Sequence, residues 1–167
     1  MSKPHEYSKI EHITDKKSKK AFFAIPNLGK IKKSDKKIQF ISFLAEWCPN
    51  CEYEAIELSR YTKEYRSLVD FSIVMMFSSI NKSSHFLSNY KLNTELIDSE
   101  CNVKSELLNK RTSFFNFRLS IEDNRKWGVP LHIIRLAGTN KEKILSIKGE
   151  SIEEEVRLFL NKSLKLA

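Results

Sequence analysis

The chain has 167 residues, 41% hydrophobic and 11% aromatic, with 29 basic and 21 acidic side chains. That composition suits one folded domain with a full core. It excludes a helix spanning a membrane, which needs roughly 18–20 apolar residues in a row, and three cysteines do not suit a disulfide-stapled scaffold.

The net charge of +8 is uneven. Residues 1–37 hold eleven lysines against Glu6, Glu11, Asp15 and Asp35, while the rest is nearly balanced. A basic arm can meet nucleic acid or an anionic membrane. This one has too few arginines and aromatics for nucleic-acid recognition, so residues 1–20 read as a flexible, solvated, basic segment. They also lack the apolar stretch of a signal peptide. The domain is expected over residues 21–167.

In chain order, AFFAIPNLGK (21–30) predicts a short extended piece ending in a turn at Asn27–Gly29. KKSDKK (32–37) reads as a loop. KIQFISFLA (37–45) predicts a central strand buried on both faces. From Cys51 to Leu68, Ala55, Leu58, Tyr61, Tyr65 and Leu68 recur at helical spacing. Glu52, Glu54, Glu57 and Lys63 are assigned to the opposite side. Pro49 sits near the first turn, where its missing N–H costs nothing.

Phe71–Phe77 predicts a second central strand. Ser83–Tyr90 predicts a short helix, Thr94–Ile97 an extended piece and Asn102–Arg111 a helix. Thr112–Asp123 has no clear period. Pro130–Leu136 and Lys143–Lys148 predict a hairpin around Ala137–Asn140. Ser151 is placed to cap a last helix whose first turn holds Glu153, Glu154 and Glu155. The order strand–helix–strand, then hairpin and helix, predicts an α/β fold with a mixed central sheet flanked by helices.

Cys48 and Cys51 stand three apart where a strand ends and a helix begins. Backbone N–H groups at a helix start favour a thiolate, the attacking species in disulfide exchange. Cys51, one turn in, can attack the resulting mixed disulfide. Trp47 would cover the site, and Pro49 and Asn50 lie between the sulfurs. Zinc needs two further ligands. Cys101, His5, His12, His85 and His132 are scattered, and no metal site is expected. Copper would want a nearby histidine or methionine, with His132, Met75 and Met76 as candidates. A structural disulfide closing so small a loop stabilises little.

AEWCPNC resembles the active-site signature of the thioredoxin superfamily. WGVPLHII (127–134) resembles its cis-proline loop, and LAGTNKEKILSIKGE its terminal hairpin. FAIPNLGKIKKSDKK resembles the N-terminal extension of the TlpA/ResA-like branch of thiol–disulfide oxidoreductases. The resemblance covers residues 21–162. It implies a thioredoxin-like fold with an N-terminal extension and a central insertion. It also implies Cys48 as nucleophile, Cys51 as resolving cysteine, and Pro130 as the cis-proline beside them. Val129 would pair with substrate backbone.

Three departures stand out. Thioredoxins carry a buried aspartate where this chain has Ser42, so either Glu46, Glu52 or a water moves the proton, or its transfer is slower. Cys51 and Pro130 are 79 residues apart, longer than in a minimal thioredoxin. The excess lies near 102–123, where TSFFNFRL is expected to be core or a flap. Cys101 has no family counterpart and reads as an inert buried thiol.

The function expected is a thiol–disulfide oxidoreductase, acting as a reductase of protein disulfides without a cofactor. A separate redox partner would supply electrons. No nucleic acid is expected, and membrane contact only through a removed anchor. A removed leader would place the chain in the periplasm or cell envelope; without one it is cytoplasmic. A metallochaperone on the same fold is the alternative. A thiol peroxidase fits less well, because Ala45 holds the slot three before Cys48.

Overall fold

The computed structural model describes residues 3–28, 35–137 and 142–166. Residues 138–140 of the hairpin turn expected at 137–140 and residues 32–34 of the loop expected at 32–37 lie outside the described residues, as does Gly29.

The elements in chain order are β1 (Ile10–Ile13), α1 (Lys16–Phe23), β2 (Ile38–Leu44), α2 (Pro49–Tyr65), β3 (Val69–Met75) and α3 (Ile80–Asn89). They continue with β4 (Glu95–Ile97), α4 (Glu106–Asn109), α5 (Ser113–Ser120), β5 (Leu131–Leu136), β6 (Lys143–Ile147) and α6 (Glu153–Ser163). Six strands form one sheet in the order β1-β6-β5-β2-β3-β4. β2 pairs in parallel with β3, and β3 with β4. The β2–β5, β5–β6 and β1–β6 pairs are antiparallel. The sheet is mixed, as its sequence pattern requires.

Every residue of β2 is buried, which explains its unbroken apolar run. Successive side chains alternate faces, so Phe40 and Phe43 point to opposite sides. The Phe40 ring lies 6.3 Å from Tyr61 of α2, while Phe43 lies 4.7 Å from Phe114 of α5. Helices therefore cover both faces. Phe22 of α1 meets Phe117 of α5 at 5.5 Å, placing α1 with α5. Phe114 and Phe117 are fully buried, so TSFFNFRL contributes to the core. Losing such a ring costs about 3–5 kcal/mol.

Four sequence expectations change. Residues 10–20 are not a lead-in outside the domain. β1 pairs with β6 from Ile10↔Ile147 to Ile13↔Ile144, and Asp15 caps α1 by accepting the N–H groups of Lys17 and Ser18. Lysine-rich composition hid a helix whose apolar face is short. AFFA is accordingly the end of α1 rather than an extended piece.

The helix expected over 102–111 shrinks to the single turn α4. The stretch without a clear period is α5, a buried helix. Its first N–H groups are satisfied by Thr112 and by the distant Glu100, which accepts from Ser113 at 3.0 Å and Phe114 at 3.1 Å. The share supplied by Glu100, 13 residues away, leaves no local signature. Finally, Ser151 does not cap α6. The N-cap position is Ile152, without a side-chain cap bond, and the Ser151 hydroxyl is spent on Glu54.

Candidate active site

β2 ends at Leu44, and Ala45–Trp47 turn the chain into α2. The Cys48 N–H donates to the Ala45 carbonyl at 3.2 Å, closing that turn. Cys48 is the N-cap of α2 in extended backbone conformation, with Pro49 as the first helical residue. In place of the usual hydroxyl or carboxylate, a sulfur caps this helix. Cys48 Sγ accepts the Cys51 N–H at 3.3 Å. Cys51 Sγ in turn lies 3.5 Å from the Ala45 N–H.

Both thiols are free and buried: Cys48 is 6% exposed and Cys51 0%. Their environments push them apart. The hydrogen bond from Cys51 holds the Cys48 thiol below its usual range. Burial opposes this, while the N–H groups of Cys51 and Asn50 and the charge of Lys3 reinforce it. Burial pushes the Cys51 thiol well up, and its hydrogen bond and charge interaction with Cys48 add to that. The site thus favours the thiolate at Cys48 and the thiol at Cys51.

The loop before β5 completes the site. The Val129–Pro130 peptide is cis, and Cys48 Sγ lies 3.7 Å from the Val129 carbonyl oxygen. Trp47 donates its indole N–H to the Phe77 carbonyl at 3.0 Å. Its ring meets Trp127 edge-on at 5.3 Å, and Lys104 Nζ sits 3.9 Å from the ring centre.

Cys48, Cys51, Trp47, Pro49, Asn50, Val129 and Pro130 thus converge at one end of β2 and β5. Asn50, between the cysteines, is only 3% exposed. Its amide donates to the Pro4 carbonyl at 2.9 Å and to Glu150 Oε2 at 3.0 Å.

Sequence reasoning missed a buried polar chain beneath the site. Ser42 and His132 are cross-strand partners, joined Oγ to Nδ1 at 2.7 Å. His132 Nε2 lies 3.0 Å from Glu54 Oε1. Glu54 also accepts from the Ser151 N–H at 2.9 Å and the Ser151 hydroxyl at 2.5 Å. Glu54 is therefore buried, contrary to its assignment to the outer face of α2. A carboxylate at a helical position is read as solvated unless its partners are known.

Of the expected proton carriers, Glu46 accepts from Ser78. The proposed copper ligands are engaged elsewhere: His132 in the polar chain, and Met75 and Met76 in the core. Among the described residues, no group of three His, Cys, Asp or Glu side chains is placed to hold a metal. Cys101 is buried, its Sγ 3.2 Å from the Val103 carbonyl.

No family model matches the chain, and no curated protein matches it in sequence. Solved structures do. A thioredoxin-related protein from Neisseria meningitidis serogroup B is 15% identical, with TM-score 0.56, over 81% of this chain and 90% of that one. A putative thiol:disulfide interchange protein DsbE from Chlorobium tepidum is 10% identical, with TM-score 0.55, over 100% of both chains. A secreted Mycobacterium tuberculosis disulfide oxidoreductase is 18% identical, with TM-score 0.50, over 74% and 81%. The mixed sheet, the flanking helices and these likenesses establish one architecture: the chain has the thioredoxin-like fold.

Proposed function

We propose that this protein is a thiol–disulfide oxidoreductase that reduces protein disulfides through Cys48 and Cys51. The observation that carries the reading is the split between the two thiols. Cys48 caps the helix, its Sγ accepting the Cys51 N–H at 3.3 Å, with its thiol lowered. Cys51 behind it is fully buried and raised. Interchange chemistry needs such a pair, one nucleophile and one held in reserve.

The Cys48 thiolate attacks one sulfur of the substrate disulfide. A Cys48–substrate S–S bond forms, the substrate S–S bond breaks, and the departing sulfur takes up a proton. Cys51 then gives up its proton and attacks Cys48 Sγ. The Cys48–Cys51 bond forms and the second substrate thiol leaves. Two electrons pass to the substrate, and an external dithiol must return them. The backbone of Val129, beside Cys48 Sγ, is the surface on which an extended substrate segment would pair.

The test is a pair of single variants assayed for insulin reduction. Cys48→Ser is expected to abolish turnover and bind no substrate covalently. Cys51→Ser is expected to accumulate mixed disulfides. Undiminished turnover in both would end this reading. Direction follows from the potential of the pair. A value near that of thioredoxin, about −270 mV, supports the reductase, and one near about −120 mV supports an oxidase.

A further inference from the structure

Residues 3–8 run beside the start of α2, and almost all of their own side chains face solvent. They bury too little to be held by the hydrophobic effect. Polar bonds hold them, and most converge on Glu150. That carboxylate is 2% exposed, although it lies in the link between β6 and α6.

Glu150 Oε1 lies 2.7 Å from His5 Nδ1, and Oε2 accepts the Glu6 N–H at 2.6 Å. The backbone of Glu150 joins in, donating to the Glu6 carbonyl at 2.7 Å and accepting from the Ser8 N–H at 2.9 Å. Gly149 leaves room for this: a Cβ there would stand 2.4 Å from the Glu6 carbonyl oxygen. The same Glu150 Oε2 also takes the Asn50 amide at 3.0 Å. One buried carboxylate therefore ties the N-terminal segment to the residue between the two cysteines. Pro4 bonds Asn50 from above, Lys3 bonds the Tyr53 hydroxyl at 2.8 Å, and the His5 and Tyr53 rings meet at 4.2 Å.

We propose that residues 3–8 are a releasable strap, latched by Glu150, that screens the Cys48 side of the redox pair and must lift before a protein disulfide can dock. The proposal rests on Cys48 being the nucleophile. It accounts for the burial of Asn50, 3% exposed beneath the Pro4 carbonyl and Glu150, in the turn that also carries Cys48. His5 is 47% exposed, so the latch can be loosened from outside the core.

The test uses the full chain, reduced, as wild type, His5→Ala and Glu150→Gln. Labelling of Cys48 by a bulky polymer-linked maleimide is followed by mass, at one pH. Amide exchange of β2 is followed in parallel. Loss of a charge-assisted latch bond should raise the labelling rate about tenfold in each variant, with β2 amides still protected. Wild-type labelling rates in both variants overturn the strap. So does a rise seen only together with lost β2 protection, which is unfolding. Labelling needs no disulfide chemistry. A redox reading that fails in the insulin assay therefore leaves a distinct signature from a strap that fails here.

Discussion

Ser42 Oγ and His132 Nδ1 meet at 2.7 Å between paired central strands, both fully enclosed. With Glu54 and Ser151 they form a chain from the middle of the sheet to the start of α6. Ser42 bonds His132 Nδ1 and Ser151 bonds Glu54 twice, while His132 Nε2, without a hydrogen-bond partner among the described residues, stands 3.0 Å from Glu54 Oε1. Glu54→Ala would leave the buried Ser151 N–H and hydroxyl without the carboxylate that accepts from both. Leaving a buried donor without its acceptor costs about 1–3 kcal/mol. Glu54→Gln keeps one acceptor oxygen and should lose less. Urea midpoints measure both; an unmoved midpoint for Glu54→Ala would show that the network carries no stability.

The two thiols should separate by pH. With Cys48 lowered and Cys51 raised, alkylation of reduced protein by iodoacetamide should give a single carbamidomethyl group at Cys48 below the ordinary thiol pKa of about 8.5. Its rate should fall about tenfold per pH unit once pH drops below the Cys48 value. The sign for stability follows from the same shifts. Cys48, lowered on folding, stabilises the reduced form above the unfolded pKa, and that contribution is lost as pH falls through the folded value. Cys51, raised on folding, acts oppositely: its contribution is present below the unfolded pKa and lost as pH rises through its folded value. An alkylation profile centred at the ordinary thiol pKa would contradict the assignment of the nucleophile.

Gly128 immediately precedes the Val129–Pro130 pair, with φ +72°. A Cβ there would sit 1.7 Å from Arg118 Nε, a guanidinium buried against Asp123 at 3.3 Å. Gly128→Ala must therefore move a buried charged side chain and also adopt a left-handed backbone, which alone costs about 1–2 kcal/mol. We expect a lowered melting temperature. We also expect slower insulin reduction at temperatures where the variant is still folded, because the loop that faces Cys48 shifts. Wild-type values for both would show that Arg118 yields freely.

Much of the site was legible because its signals are local. Cys48, Pro49 and Cys51 lie within one turn of a helix start, and the apolar run of β2 is continuous. Pro130 needed only the short motif around it. What stayed hidden depends on partners far away in sequence. Glu54 reads as a solvated carboxylate until His132, 78 positions on, is folded against it. α5 lacks a helical period because both its faces carry apolar residues, and two of its first N–H groups go to the distant Glu100 beside its Thr112 cap. β1 and α1 vanish under a lysine-rich composition, since strand pairing to Ile147 is invisible from Ile10 alone.

The packing of Trp47 against Trp127 beside Cys48 has an optical consequence. The chain has two tryptophans, and both stand here. Tryptophan emission, excited selectively over the five tyrosines, therefore originates beside the redox pair. Oxidation brings a disulfide, a quencher, against one indole, so the reduced protein should be the brighter form. Titrating a glutathione buffer while recording fluorescence would then yield the potential of the pair without labels, and strap movement would register as a change in the same signal.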